Sequence, residues 1–383
     1  MSNYQISDFE LIRPYNDDEI QSVFKRLLSE EAFVRLLSFL YPASLEKTVE
    51  RISKITSIRQ FQEEVISSYV KGVIENTTQG VFAEGLENLL PNESYLFFSN
   101  HRDIILDPAI LNVLLVQNGF DTTEIAIGDN LLIFPWITDL VKLNRTFIVN
   151  RNLPVKQMLE SSSRLSNYIR YTLTEKNSSV WIAQREGRSK DGNDRTQISL
   201  LKMLNISGTG SFPQNFKELK IVPVSIAYEY DPCDYLKSEG FLKRKKNPNY
   251  QKTKDEDLKH METGLKGRKG RVSFSFGKPI NEELQAIEPL TVKNDQFTAL
   301  AETIDRYIHL NYHLCPGNYV AWDVLNQKED YQNFYTAADK EYFLSYIEEH
   351  LHRCNRHGAD SEFIRETLLE MYANPVENKR NCF

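Results

Sequence analysis

Between about residue 90 and residue 285 the chain alternates short apolar runs with longer amphipathic stretches, and this alternation narrows the possible folds most. Runs at 95–99, 123–127, 146–150, 179–184, 220–228 and 271–276 read as strands. Between them lie helical patterns, one opened by Pro154 and carrying Val155, Met158, Leu159, Leu165 and Ile169, another near 196–204. Strands that alternate with helices predict an α/β fold, a mixed, largely parallel sheet with helices on both faces.

The flanks have a different texture. Ile20, Val23, Phe24, Leu27 and Leu28 recur at helical spacing, as do Leu300, Ile304 and Ile308 and later Phe343, Ile347 and Leu351. The expected organisation is therefore an N-terminal helical region (1–88), an α/β core (89–285) and a C-terminal helical region (286–383). A hydrophobic content of 41% is ample for a packed core. The net charge of -7 and pI near 5.7 argue against a nucleic-acid partner. Cys233, Cys315, Cys354 and Cys382 lack paired spacing and read as reduced thiols. The acidic start lacks the pattern of a signal peptide, and no apolar run reaches the roughly 18–20 residues that a membrane span needs. The expectation is a soluble chain, or one lying on a membrane surface.

Chemistry gathers where the strand runs end. After Tyr95-Leu96-Phe97-Phe98 comes Asn100-His101-Arg102-Asp103, and then Asp107-Pro108, which reads as the N-cap and first position of a helix. An imidazole near carboxylates can draw a proton from a hydroxyl, and Asp107 or Asp103 is the candidate to orient it. The run at 146–150 leads into Arg151, and the run at 179–184 leads into Arg185-Glu186-Gly187-Arg188. These arginines suit an anionic headgroup, and Gly187 suits close backbone approach. The cationic stretch from Lys243 to Arg271 reads as a loop, either solvated or docking an acidic carrier or anionic lipid. His309, His313, His350, His352 and His357 read as solvated helix histidines; no metal site is expected, because Leu310 stands where a metalloprotease helix has glutamate. The apolar segment 131–137, with Trp136, reads as core or as a membrane-interface element.

The ordered set His101-x-Asp, Phe147-Ile148-Val149-Asn150-Arg151, Glu186-Gly187-Arg188-Ser189, Val222-Pro223-Val224-Ser225-Ile226 and Phe276-Gly277-Lys278-Pro279-Ile280 resembles the glycerolipid acyltransferase superfamily of 1-acylglycerol-3-phosphate acyltransferases. The likeness covers roughly 94–280. It implies acyl transfer from acyl-CoA or acyl-carrier protein to a lysophospholipid-like hydroxyl, 1-acylglycerol-3-phosphate above all. His101 would be the general base and Asp107 its orienter, with Asp103 as competitor; Asn100, Arg102, Arg151, Arg185, Glu186, Gly187 and Arg188 would bind substrate. No metal or organic cofactor is implied. The expected partners are lipid acceptor, acyl donor and membrane surface, at the cytoplasmic inner face. Two departures stand out. Asp107 lies six residues after His101 where the family has five, and Arg185 replaces the family's proline before Glu186-Gly187. They motivate the alternatives of a non-phosphate acceptor, such as an acylated amino acid, or a non-catalytic lipid-binding scaffold.

Overall fold

The computed structural model describes residues 5–41, 44–151 and 153–383. Its centre is a seven-stranded sheet in the order β1-β7-β6-β2-β5-β3-β4. The strands are β1 (Thr78–Glu84), β2 (Leu96–Ser99), β3 (Glu124–Gly128), β4 (Thr146–Val149), β5 (Val180–Ala183), β6 (Ile221–Tyr228) and β7 (Gly270–Phe276). Every neighbouring pair is parallel except β6 and β7. The α/β fold read from the alternation is the observed one.

β2 lies at the middle of the sheet, with Phe97 opposite Trp181 of β5 and Val222 of β6. Side chains alternate across it, since successive residues of a strand point to opposite faces. Leu96 and Phe98 pack with Val180, Ile182 and Ile221 under the helices Val155–Thr174, Ile198–Asn205 and Lys293–Leu310. Phe97 packs with Trp181, Val222 and Val224 under the helix Leu106–Gln117. Burial on both faces is why these strands are apolar without a break.

Two satellite cores flank the sheet. Ile20, Phe24, Leu27, Phe33 and Phe61 join the N-terminal helices to Leu143. Val320, Trp322, Phe343, Ile347, Leu368 and Tyr372 build the C-terminal one.

Three sequence expectations change here. β1 falls inside the stretch read as wholly helical. It is an edge strand with most of its residues exposed and none fully buried, ordered by pairing with β7, so its own side chains carry little pattern. The helix Lys293–Leu310 belongs to the sheet's own core through Phe297, Leu300, Ile304 and Ile308. The cationic stretch forms the helices Asp234–Lys246 and Lys254–Lys266, the second started by a capping box of Thr253 and Glu256. Many of its cations are paired internally: Lys243 with Glu256, Lys246 with Asp360, Lys252 with Asp257 and Arg271 with Glu229.

Candidate active site

The carboxyl ends of β2, β5 and β6 meet at His101, which follows β2 by two residues. In open α/β sheets this is where ligands collect. The ring is 13% exposed, packs on Trp181 in a T-shaped contact at a centroid distance of 5.4 Å, and sets Nδ1 2.8 Å from Asp107 Oδ2. Trp181 is itself fixed by donating Nε1–H to Ser99 Oγ at 3.0 Å.

The extra residue between His101 and Asp107 does not part them. The helix begins at Leu106, one residue before the predicted cap, so Asp107 stands in its first turn and Pro108 after it. Proline is tolerated there because first-turn amides have no intrahelical acceptor. The capping carboxylate is Asp103, whose Oδ1 accepts from the amides of Ile105 and Leu106 at 2.9 and 2.8 Å. Asp103 therefore serves the helix, whereas Asp107 is bonded to the imidazole. Burial, and then the neighbouring Asp107, push the Asp103 carboxyl above its ordinary pKa. Gly264 lies directly over it, since a Cβ there would come within 2.1 Å of Asp103 Oδ2.

Asp107 is fully buried and fully engaged. Its Oδ2 also accepts from the amides of Arg102 and Asp103 at 2.6 and 3.1 Å, and Oδ1 accepts from the Tyr228 hydroxyl at 3.0 Å. Tyr228 escaped the sequence reading; its only signal is a polar-tipped aromatic closing an otherwise apolar strand. Tyr228→Phe is expected to lower stability by about 1.5–3 kcal/mol, as loss of a hydrogen bond to a charged group does, read from the denaturant midpoint.

The other residues named from sequence divide into two sets. Asn100 and Arg102 turn inward. Asn100 pairs with the Ile226 backbone, accepting at 2.7 Å and donating at 2.9 Å, and so ties β2 to β6. Arg102 is buried against Asp194 at 2.5 Å, its guanidinium over the Tyr312 ring. Both side chains hold the loop's shape. The lysine behind this loop, Lys237, is buried on Asp231 and donates to the Arg102 carbonyl at 3.1 Å. In a strand-to-helix loop every polar side chain draws notice, and only distant partners such as Asp194 reveal which of them face inward.

The second set is carried by Arg151 after β4 and by the loop after β5, whose Ser189 amide donates to the His101 carbonyl at 2.7 Å. Arg151 and Glu186 form an ion pair at 3.2 Å, with Glu186 exposed. Gly187 has φ +71° and open space around it, a backbone state that glycine enters without strain. Arg188 is buried yet makes no hydrogen bond or ion pair among the described residues, and its Nη1 is buried without a partner. Gln184 is likewise buried with both amide atoms unpartnered. Such orphans are rare in native interiors and point to a bound polar group.

Further cations converge there. Burial lowers the Lys190 pKa to about 8, helped by Arg244, Lys252, Arg188 and Arg185. Burial, then Arg188 and Lys252, hold His260 down at about 2, so its imidazole is neutral. Lys190, Lys252 and His260 were not picked out as site residues in the sequence, because they come together only when the helix Lys254–Lys266 folds over the loop.

Two of the late histidines differ from expectation, whereas His313, His352 and His357 are exposed as expected. His309 is buried with Nε2 2.7 Å from the Asp194 carbonyl, and His350 is buried on Asp234; neither is solvated. Among the described residues no cluster of three or more His, Cys, Asp or Glu could hold a metal ion.

The family described as Acyltransferase matches residues 80–227. A glycerol-3-phosphate acyltransferase of Pseudomonas entomophila (strain L48) is 26% identical over 277 residues, covering 69% of this chain and 32% of that protein. One from Pseudomonas syringae pv. tomato (strain ATCC BAA-871 / DC3000) is 26% identical over 224 residues, covering 58% and 26%. The chain thus spans no more than about a third of these relatives' length. Among solved structures, the 1-acyl-sn-glycerophosphate acyltransferase PlsC from Thermotoga maritima aligns with TM-score 0.36 and 12% identity, over 76% of this chain and 94% of that one. The strand-end histidine and the arginine loop both lie inside the residues that match the Acyltransferase family, a match that spans less than half of this chain.

Proposed function

We propose that the protein transfers a fatty acyl group from a thioester donor, acyl-CoA or acyl-carrier protein, to a hydroxyl of a glycerol phosphate acceptor. The observation that carries this reading is the His101–Asp107 pair beside a buried, unpaired Arg188.

In this mechanism Nδ1–H of His101 donates to Asp107, which leaves Nε2 as the base. Nε2 takes the acceptor's hydroxyl proton as the oxygen attacks the thioester carbonyl. Collapse of the adduct breaks the C–S bond, and the imidazolium returns its proton to the departing thiolate. Asp107 fixes the tautomer and stabilises the imidazolium. Arg188, with Lys190 and Lys252, would seat the phosphate, and the exposed Glu186 and Arg151 would line its entrance. The acceptor is either glycerol 3-phosphate, for which the relatives are named, or its 1-acyl derivative. No metal or organic cofactor enters any step.

The reading also includes peripheral attachment to a membrane, at its cytoplasmic face. Phe134, Val155, Met158 and Leu159 are half or more exposed, and they follow the carboxyl ends of β3 and β4 on the side where His101 emerges. Exposed apolar groups so placed suit entry from a lipid surface. No helix among the described residues is long and apolar enough to cross a membrane.

The test is incubation of purified protein with a labelled palmitoyl thioester on coenzyme A or carrier protein. The acceptors are glycerol 3-phosphate, 1-acylglycerol-3-phosphate and an acylated amino acid, with product read by mass. Product on a phosphate acceptor is expected. Product on the acylated amino acid alone would overturn the phosphate assignment, and no product from folded protein would overturn acyl transfer. Arg188→Gln is expected to lower kcat/KM for the phosphate acceptor by about 10- to 100-fold through KM, the worth of a charged hydrogen bond, with no loss of stability.

A further inference from the structure

A second histidine–aspartate pair lies outside the acyltransferase core. His350, on the helix Ala337–Cys354, sets Nδ1 2.5 Å from Asp234 Oδ1. The other carboxylate oxygen accepts from the Tyr346 and Tyr372 hydroxyls, both at 2.7 Å. Asp234 is fully buried and His350 is 4% exposed. His350 Nε2 has no partner among the described residues, and the ring forms part of the wall of a cavity of about 540 Å³.

The cavity's other walls supply matching chemistry. Tyr235, Tyr342 and Tyr346 are among its lining residues. At the rim, Glu262 is paired with Lys266 and Glu349 with Arg353. Arg268 differs. Its guanidinium lies 5.7 and 5.2 Å from the ring centroids of Tyr230 and Tyr342, which pack on each other at 5.8 Å, and it is bonded to the Tyr342 hydroxyl. It makes no ion pair with a carboxylate among the described residues. A guanidinium held in place with donors to spare is suited to an oxyanion, and tyrosine faces are suited to a flat body.

We propose that this cavity is a second ligand site, for an organic phosphate with a flat ring system. The phosphate sits between Arg268 and His350, and the ring lies on the tyrosines. One ring nitrogen is bonded to Asp234 and the other faces the phosphate. None of these residues belongs to the cation group beside His101. The site is linked to that group, because Asp234 and Lys237 share one turn of helix and Lys237 holds the Arg102 carbonyl.

Calorimetric titration of the full chain with adenosine 5′-monophosphate, inorganic phosphate and adenosine tests this. The nucleotide should bind more tightly than either fragment. Arg268→Ala should weaken that binding by about 10-fold or more, the loss expected for one charged hydrogen bond, and Arg188→Gln should leave it unchanged. His350→Asn should weaken it as well; because Arg268 is exposed, its alanine variant tests the site even if the His350 variant does not fold. Nucleotide binding that survives Arg268→Ala, or that only Arg188→Gln removes, would overturn the proposal. So would the absence of binding.

Discussion

Replacement of His101 by alanine is expected to lower turnover by about 10²–10⁴-fold with little change in melting temperature. That range is the usual worth of a positioned general base. Stability should hold because the ring is a minor part of what Asp107 binds. The amides of Arg102 and Asp103 and the Tyr228 hydroxyl would still satisfy the carboxylate. Asp107→Asn should behave differently. An amide can accept through only one atom, so either the donors on Oδ2 or the Tyr228 hydroxyl on Oδ1 would face an NH2 group. Activity and stability should then fall together. Comparing the two variants by steady-state turnover and chemical denaturation separates base from scaffold. His101→Ala retaining more than about a tenth of normal turnover would remove the ring from the proton transfer.

Much of this arrangement can be read before the chain is folded, for reasons that particular residues make clear. β2, β5 and β6 are buried on both faces, so Leu96-Phe97-Phe98 and Ile221-Val222 advertise strands without any help from context. His101 and Asp107 are close in sequence, and the loop between them can absorb one extra residue. What escapes reading depends on remote partners. Tyr228 reaches Asp107 across 121 residues, and His350 is buried only because Asp234, 116 residues away, accepts from it. Arg102 and Arg188 look equivalent in sequence, yet Asp194 pairs with the first and, among the described residues, no carboxylate forms an ion pair with the second. The charge run from Lys243 hides two helices because its acidic partners, Glu256 and Asp257 among them, are interleaved rather than blocked. β1 is silent for the opposite reason. Its pairing is made by backbone, which leaves no residue pattern behind.

Removal of the Asp194 carboxylate is expected to be among the most destabilising single changes in the site, at about 3–5 kcal/mol. Asp194 Oδ2 accepts from Arg102 at 2.5 Å and Asn100 at 3.3 Å, and its backbone carbonyl accepts from His309 at 2.7 Å. One residue thus joins the loop after β2, the loop after β5 and the helix Lys293–Leu310. In Asp194→Ala the guanidinium of Arg102 stays enclosed, 6% exposed, with the Tyr312 ring against it and no ion pair to replace the lost one among the described residues, although Asp231 and Asp107 still act on it electrostatically. A buried cation without its counter-ion costs far more than the pair itself contributes, because desolvation has already been incurred. The double variant Asp194→Ala, Arg102→Met should therefore recover most of the loss, even though it removes both partners. Denaturant midpoints of the two single variants and the double variant measure this directly. A double variant as unstable as the sum of the singles would mean that the carboxylate acts through Asn100 and the loop, and not through the charge it neutralises.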